Sequence, residues 1–160
     1  MRNLVTFLAF LAFLAVPFTA YAPLSVAQST DLQVSDAYIR TMPPGRTTTA
    51  GFLAVTNTGG QACEITGFES PLSRRVEMHE HLHADGMMRM RPVTGTLALP
   101  AGETLNFKPG GLHIMLFNID SSLNVGDVTQ LQLNTDQCGS IEFTATIRSL
   151  AAKPMAGKHH

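Results

Sequence analysis

The sequence contains no tryptophan, only two cysteines and two tyrosines, and a charged fraction of 14%. Lysine and arginine number 11 against 12 acidic residues, for a formal net charge of −1. No basic excess is left to neutralise a phosphate backbone, which argues against nucleic acid as a partner. No run has a convincing helical period, and no internal repeat is apparent. There is no Ser-His-Asp order, no recognisable carboxylate pair and no phosphate-cradling glycine loop, so no machinery for hydrolysis or phosphoryl transfer is visible and a non-enzyme is expected. With 44% hydrophobic residues, the composition is that of a globular β domain.

What is present is concentrated between Met78 and Met115. Four of the histidines (His79, His81, His83, His113) and five of the methionines (Met78, Met87, Met88, Met90, Met115) fall in this stretch. Imidazole and thioether, without a carboxylate cluster or a local thiol, form a donor set that suits Cu(I) better than zinc, calcium or magnesium. Val76 to His83 and Met87 to Val93 read as strands, joined by Asp85-Gly86, a dipeptide that accepts the positive φ angles of a type I′ hairpin turn. A two-residue loop fixes the register: Ala84 faces Met87, His83 faces Met88, His81 faces Met90 and Glu80 faces Arg91. Because side chains alternate, His79, His81, His83, Met88 and Met90 share one face, with Met90 diagonal to His79. A slip of one residue would scatter them.

The second group of donors is Gly110-Gly111-Leu112-His113-Ile114-Met115. His113 and Met115 lie two apart in an expected strand, Leu112 to Ile119, and so project from one face. The glycines before them allow a turn or close backbone approach at a rim. A hairpin offering a histidine and a methionine, facing a strand that offers another pair, makes a site of two imidazoles and two thioethers. Hairpin geometry alone does not choose between His79 and His81.

These residues resemble the periplasmic copper chaperones of the PCuAC family. The likeness is carried by Val76-Glu77-Met78-His79-Glu80, by Met88-Arg89-Met90-Arg91-Pro92-Val93 and by Lys108-Pro109-Gly110-Gly111-Leu112-His113-Ile114-Met115-Leu116. It extends through Pro43-Pro44-Gly45, Ala50-Gly51-Phe52, Asn57-Thr58-Gly59-Gly60 and Leu99-Pro100-Ala101-Gly102. The family pattern is a His, a Met eleven positions on, and a His-x-Met a little over twenty positions later, matched here by His79, Met90, His113 and Met115. The resemblance implies a cupredoxin-like β-sandwich and a Cu(I) site made by those four residues. It also implies delivery of copper toward the CuA centre of cytochrome c oxidase. His81, His83 and Met88 are then accessory candidates: the histidines for a weaker Cu(II) locus or for plain solvent exposure, Met88 as a substitute for Met90.

The chain start reads as an address. Arg2 precedes an apolar run from Leu4 to Phe18, and Ser25-Val26-Ala27 offers the small residues of a cleavage site, giving a signal peptide at 1–27 and export to the periplasm. Cleavage after Ala22 and an uncleaved anchor are the alternatives. Residues 28–150 form the expected β domain and 151–160 a flexible tail, in which Met155, His159 and His160 are sparse donors. Short strands are expected at 34–40, 47–56, 62–68, 96–99, 103–107, 128–133 and 141–147, separated by Pro- and Gly-bearing turns, which together with the hairpin predict a sandwich or a barrel; the resemblance implies the former, an antiparallel sandwich of Greek-key character. In an exported protein Cys63 and Cys138 most simply form one disulfide; a thiolate copper ligand is the weaker alternative.

The function expected is therefore Cu(I) carriage. The partner would be a copper-accepting protein, either a cytochrome c oxidase subunit or another periplasmic copper chaperone, and contact with a membrane would come only through that recipient. A copper redox or electron-transfer protein, or a structural β domain without tight metal binding, are the competing readings.

Overall fold

The computed structural model describes residues 31–84, 86–119 and 122–149. The expected leader, 1–27, and tail, 151–160, lie outside the described residues. Ten strands occur: β1 (Leu32–Arg40), β2 (Thr49–Asn57), β3 (Cys63–Glu69), β4 (Arg75–Ala84), β5 (Met87–Pro92), β6 (Leu97–Leu99), β7 (Thr104–Phe107), β8 (His113–Phe117), β9 (Val128–Thr135) and β10 (Ser140–Arg148). Each falls on a stretch whose alternation or β-branched content predicts it, and among the described residues there is no helix.

The strand order is β5-β4-β8-β2-β1-β10-β9-β3-β6, with β7 also paired to β2. Sequence neighbours are paired only at β1–β2, β4–β5 and β9–β10, so the sheet is assembled by crossovers and closes into a sandwich-like arrangement. The cupredoxin-like all-β reading holds, with one departure from a fully antiparallel sheet: β1 and β10 run parallel, Ile39 beside Ile147. The last strand returns alongside the first, a non-local pairing with no local turn to announce it.

The core is built from the inward positions. Ile39, Leu53, Val55, Ile114, Leu116 and Ile147 meet Ile65, Phe68, Leu99, Leu131 and Leu133, all at most 6% exposed. Each such side chain removed from water contributes about 1.5–3 kcal/mol before the entropy of ordering is set against it. The loose alternation of β1 has a physical cause. Asp36 takes a left-handed φ of 51°, and the register jumps between Ser35 and Tyr38, so a bulge places an extra residue opposite β2. Leu32 and Val34 face inward before the bulge, Ala37 and Ile39 after it. Without the shift in parity Ile39 would point outward and Tyr38 inward.

β7 and β8 share one edge of β2. Thr104–Phe107 pair with residues 53–56, Ile114–Leu116 pair with residues 49–51, and residues 108–112 are looped out between them. The loop is closed by Lys108 N–H to the Leu112 carbonyl at 2.7 Å and Gly111 N–H to the Lys108 carbonyl at 3.0 Å, and Gly110 takes a φ of 79° that favours glycine. Where β2 meets β8 the approach is close. A Cβ on Gly51 would lie 2.7 Å from Ile114 Cγ1, a side chain that is itself 1% exposed and has nowhere to move.

Cys63 and Cys138 form a disulfide across 75 residues, with Cα atoms 5.7 Å apart. It fixes the start of β3 to the β9–β10 turn. Neither sulfur is left as a thiolate, so a cysteine-ligated copper centre is excluded. Replacing both cysteines with alanine should lower unfolding stability by about 2–4 kcal/mol. Urea titration of the oxidised protein and the double variant checks this, and reductant should shift only the former.

Candidate metal centre

The β4–β8 ladder aligns Arg75 with Phe117, Val76 with Leu116, Glu77 with Met115, Met78 with Ile114 and His79 with His113. Opposed residues in an antiparallel pair share a face. Met78, Ile114 and Leu116 therefore enter the core, while Glu77, His79, His113 and Met115 stand on the other face. Ser73 anchors this register. Its buried hydroxyl accepts from the Arg75 N–H at 3.1 Å and the Phe117 N–H at 3.2 Å, and lies 2.8 and 2.6 Å from the carbonyls of the same two residues. With one hydroxyl hydrogen it donates to one of these carbonyls at a time.

Beyond His79, β4 loses β8 and pairs with β5 alone. The register is His79–Pro92, Glu80–Arg91, His81–Met90, Leu82–Arg89, His83–Met88 and Ala84–Met87, as the Asp-Gly turn predicts. The hairpin stands out from the body of the sheet, and every residue of β5 is exposed. Its base is tied by the Val93 N–H to the Met78 carbonyl at 2.8 Å.

His113 is 3% exposed, and its two ring nitrogens are assigned by their surroundings. Nδ1 lies 2.8 Å from the Gly111 carbonyl, which can only accept, so Nδ1 carries the proton. Nε2 in the neutral ring then presents its lone pair, and it lies 3.0 Å from Met90 Sδ. Burial is the main cause holding the His113 pKa below the ordinary value of 6.5, offset in part by the Gly111 hydrogen bond and aided by His81, His79 and Arg40.

His79, 8% exposed, is fixed in the complementary sense. Its Nε2 donates to Glu77 Oε2 at 2.9 Å, and Glu77 also accepts from Arg75 Nε at 2.7 Å. The hydrogen bonds from His79 and Arg75 lower the Glu77 pKa, so the carboxylate is ionised and Nε2 keeps its proton. In the neutral ring Nδ1 then presents its lone pair, and it is buried without a hydrogen-bond partner among the described residues. A carboxylate or carbonyl holding the far nitrogen of an imidazole is the outer-shell arrangement that orients metal-binding histidines. The two rings are 6.0 Å apart.

Four residues were expected to act together. The His113 ring lies beside both the Met90 sulfur and the His79 ring, and Met115 stands half-buried on the same face, across from Glu77 on β4 and Ala50 on β2. Of the accessory candidates, His81 stacks on His113 at 4.9 Å, with Nδ1 3.4 Å from the Gly111 carbonyl. Met88 is 51% exposed on the hairpin. The His83 side chain lies outside the described residues; its backbone pairs with that of Met88. Among the described residues no three His, Cys, Asp or Glu side chains group to hold a metal. Residue-level reading overlooked Glu77, Ser73 and the Gly111 carbonyl. Glu77 was open to discovery, since it lies two residues before His79 and strand alternation puts it on the same face.

The profile of the LpqE-like family, described as "Putative lipoprotein LpqE-like", matches residues 32–147. A protein of Leifsonia xyli subsp. xyli named as a lipoprotein is 32% identical over 119 residues, 74% of this chain and 70% of its own. Among solved structures, Cu(I)-loaded DR1885 of Deinococcus radiodurans is 27% identical with a TM-score of 0.59, covering 76% of this chain and 83% of that one. The copper-bound PCuAC domain of PmoF2, 19% identical, shares the fold with a TM-score of 0.60 over 74% of this chain and 93% of its own.

A histidine whose pKa is lowered by folding binds its proton more readily in the unfolded chain, so acid favours unfolding. The metal-free protein should lose stability as pH falls through the ordinary histidine value of 6.5 toward the lowered His113 value, and the loss should be smaller in His113→Gln. Urea midpoints of both proteins at about pH 7.5 and about pH 5 test the sign.

Proposed function

The chain belongs to the LpqE-like, PCuAC-type family, and on that premise we propose that it is a copper chaperone, a carrier and not an enzyme, that holds Cu(I) at His79, Met90, His113 and Met115. The observation that carries this reading is the pair of oriented imidazoles. His113 Nε2 points its lone pair at the Met90 sulfur, and His79 Nδ1 is a buried nitrogen with no hydrogen-bond partner among the described residues. A buried polar atom without a hydrogen bond costs about 1–3 kcal/mol unless something else satisfies it. A soft cation bridging both nitrogens and the thioethers would do so.

The donor chemistry favours carriage over redox cycling. Two neutral imidazoles and two thioethers suit Cu(I) and disfavour Cu(II). They add no negative charge, so the ion keeps its own and is not locked in as thiolates would lock it. The copper-loaded state of the Deinococcus protein supports copper as the cargo. The histidines are buried and fixed by Glu77 and Gly111, whereas Met90 is 48% exposed on the projecting hairpin. Release therefore begins at Met90, through exchange with a donor from the recipient.

The recipient is proposed to be a periplasmic cuproprotein, with the CuA centre of cytochrome c oxidase as the first candidate, and export by the 1–27 leader would bring the chain there. Another periplasmic copper chaperone is the other candidate recipient. With a formal net charge of −1 the chain has no overall basic excess to favour a nucleic acid as partner. His81 and His83, with Met88, are proposed as a weaker accessory locus at the hairpin, open to Cu(II).

Anaerobic Cu(I) titration against a competing chromophoric chelator should show one tight equivalent. His79→Ala, His113→Ala, Met90→Leu and Met115→Leu should each weaken it by about tenfold or more, roughly 1.4 kcal/mol, with His81→Ala and Met88→Leu having smaller effects. No retained Cu(I), or four variants with unaltered affinity, would overturn the proposal.

A further inference from the structure

The face that bears the two histidines also bears a row of arginines resting on aromatic rings. On one side Arg75 lies over Phe117, 4.5 Å from its centroid, and Phe117 is 6.1 Å from His79. On the other side Phe52 is 6.3 Å from His113 and carries Arg40 at 4.8 Å. Next to it Tyr38 packs on Phe52 at 5.0 Å and carries Arg148 at 4.5 Å. The bulge at Asp36 is what turns Tyr38 and Arg40 onto this face.

Arg40 and Arg148 are register partners on adjacent strands. Like charges placed side by side on a sheet are unfavourable, and a local rule broken without compensation within the fold points to function. Among the described residues neither guanidinium makes an ion pair or a hydrogen bond; the ion pairs on this face all involve Glu77, held by Arg75 and His79. A ring face holds a guanidinium in place but satisfies none of its five N–H donors. The chain as a whole has a formal charge of −1, so this cationic row is a local feature and not an average one.

We propose that this arginine row is the docking surface for the copper-exchange partner, and that the partner is a protein presenting carboxylates around its own copper-binding residues. The proposal rests on the copper-carrier reading and adds the chemistry of the partner to it. Guanidinium forks match carboxylates bidentately, and three of them bracketing the histidines would align an acidic rim over the site. The thioether-imidazole site leaves the charge of Cu(I) uncancelled, so cations around it oppose retention and an acidic acceptor favours removal. Complementary charge of this kind acts chiefly on encounter rate and register.

The test uses two synthetic dicysteine peptides matched in Cu(I) affinity, one flanked by glutamates and one by lysines. Stopped-flow transfer from the copper-loaded protein should be about tenfold faster or more to the glutamate peptide at low salt, and the preference should vanish at high salt. Arg40→Gln/Arg148→Gln, which leaves Arg75 and Glu77 intact, should hold one equivalent of Cu(I) at least as tightly as the wild type, since two cations that oppose retention are gone, but lose most of the preference. Arg40→Glu/Arg148→Glu should invert it. Equal rates to the two peptides, or a preference unchanged in both variants, would overturn the proposal. So would arginine-dependent binding to phosphatidylserine vesicles without any peptide preference, which would assign the row to an anionic membrane surface. If the wild type retains no Cu(I), the carrier reading itself falls and this inference falls with it; copper retained but transferred without regard to charge overturns the docking surface alone.

Discussion

The register of β4 against β8 is the constraint on which the rest of this molecule depends. It puts His79 opposite His113 and Glu77 opposite Met115 on one face, and Met78, Ile114 and Leu116 in the core on the other. A shift of one residue would exchange the two sets, burying imidazoles among aliphatic side chains and exposing the core. Two features hold it. Apolar burial penalises any slip across the whole ladder, and the Ser73 hydroxyl closes the end of the ladder by bonding to both strands at Arg75 and Phe117. Gly51 adds a steric limit, since Ile114 folds over it and fixes how closely β8 lies on β2.

Much of this was legible from residues alone because it is set locally. The Asp85-Gly86 turn dictates the hairpin pairing, and every predicted pair is present. Strand positions followed from alternation and from turns at Pro and Gly. What escaped was non-local or irregular. The parallel pairing of β1 with β10 joins the two ends of the domain and leaves no turn signature. The bulge at Asp36 was visible only as imperfect alternation. The row formed by Phe52, Tyr38 and the arginines depends on both of these, because it crosses strands brought together from distant parts of the chain. The hairpin could not distinguish His79 from His81, and their surroundings in the fold differ. His79 has a carboxylate on one nitrogen and nothing on the other, whereas His81 stacks on the His113 ring.

The site divides into a rigid half and an exposed half. His79 and His113 sit where β4 is flanked by β8, both are buried, and each has one nitrogen tied to a fixed acceptor. Met90 belongs to a strand that pairs only with the outer part of β4 and contributes nothing to the core. A two-stranded ribbon of this kind has little stability of its own. Since binding to a preorganised site avoids the cost of ordering its donors, affinity in the proposed copper site is set mainly by the histidines. Methionine on the hairpin sets how easily the ion is reached.

That division also decides in which direction an ion would leave. The histidines are closed off beneath by the core and at the side by the Gly110-Gly111 loop, whose carbonyl holds His113. The open direction is outward over the sheet face, past Met90 and across the rows where Arg75 covers Phe117 and Arg40 covers Phe52. A recipient for an ion held there would approach along that line, where Met90 on the hairpin and the arginines on their rings lie. An approaching donor that is itself cationic would be repelled at short range, while one surrounded by carboxylates would be drawn in and oriented before any ligand exchanged. The charge carried by the exit face, and not the identity of the metal ligands, is therefore what would let such a carrier discriminate among recipients that all bind the same ion.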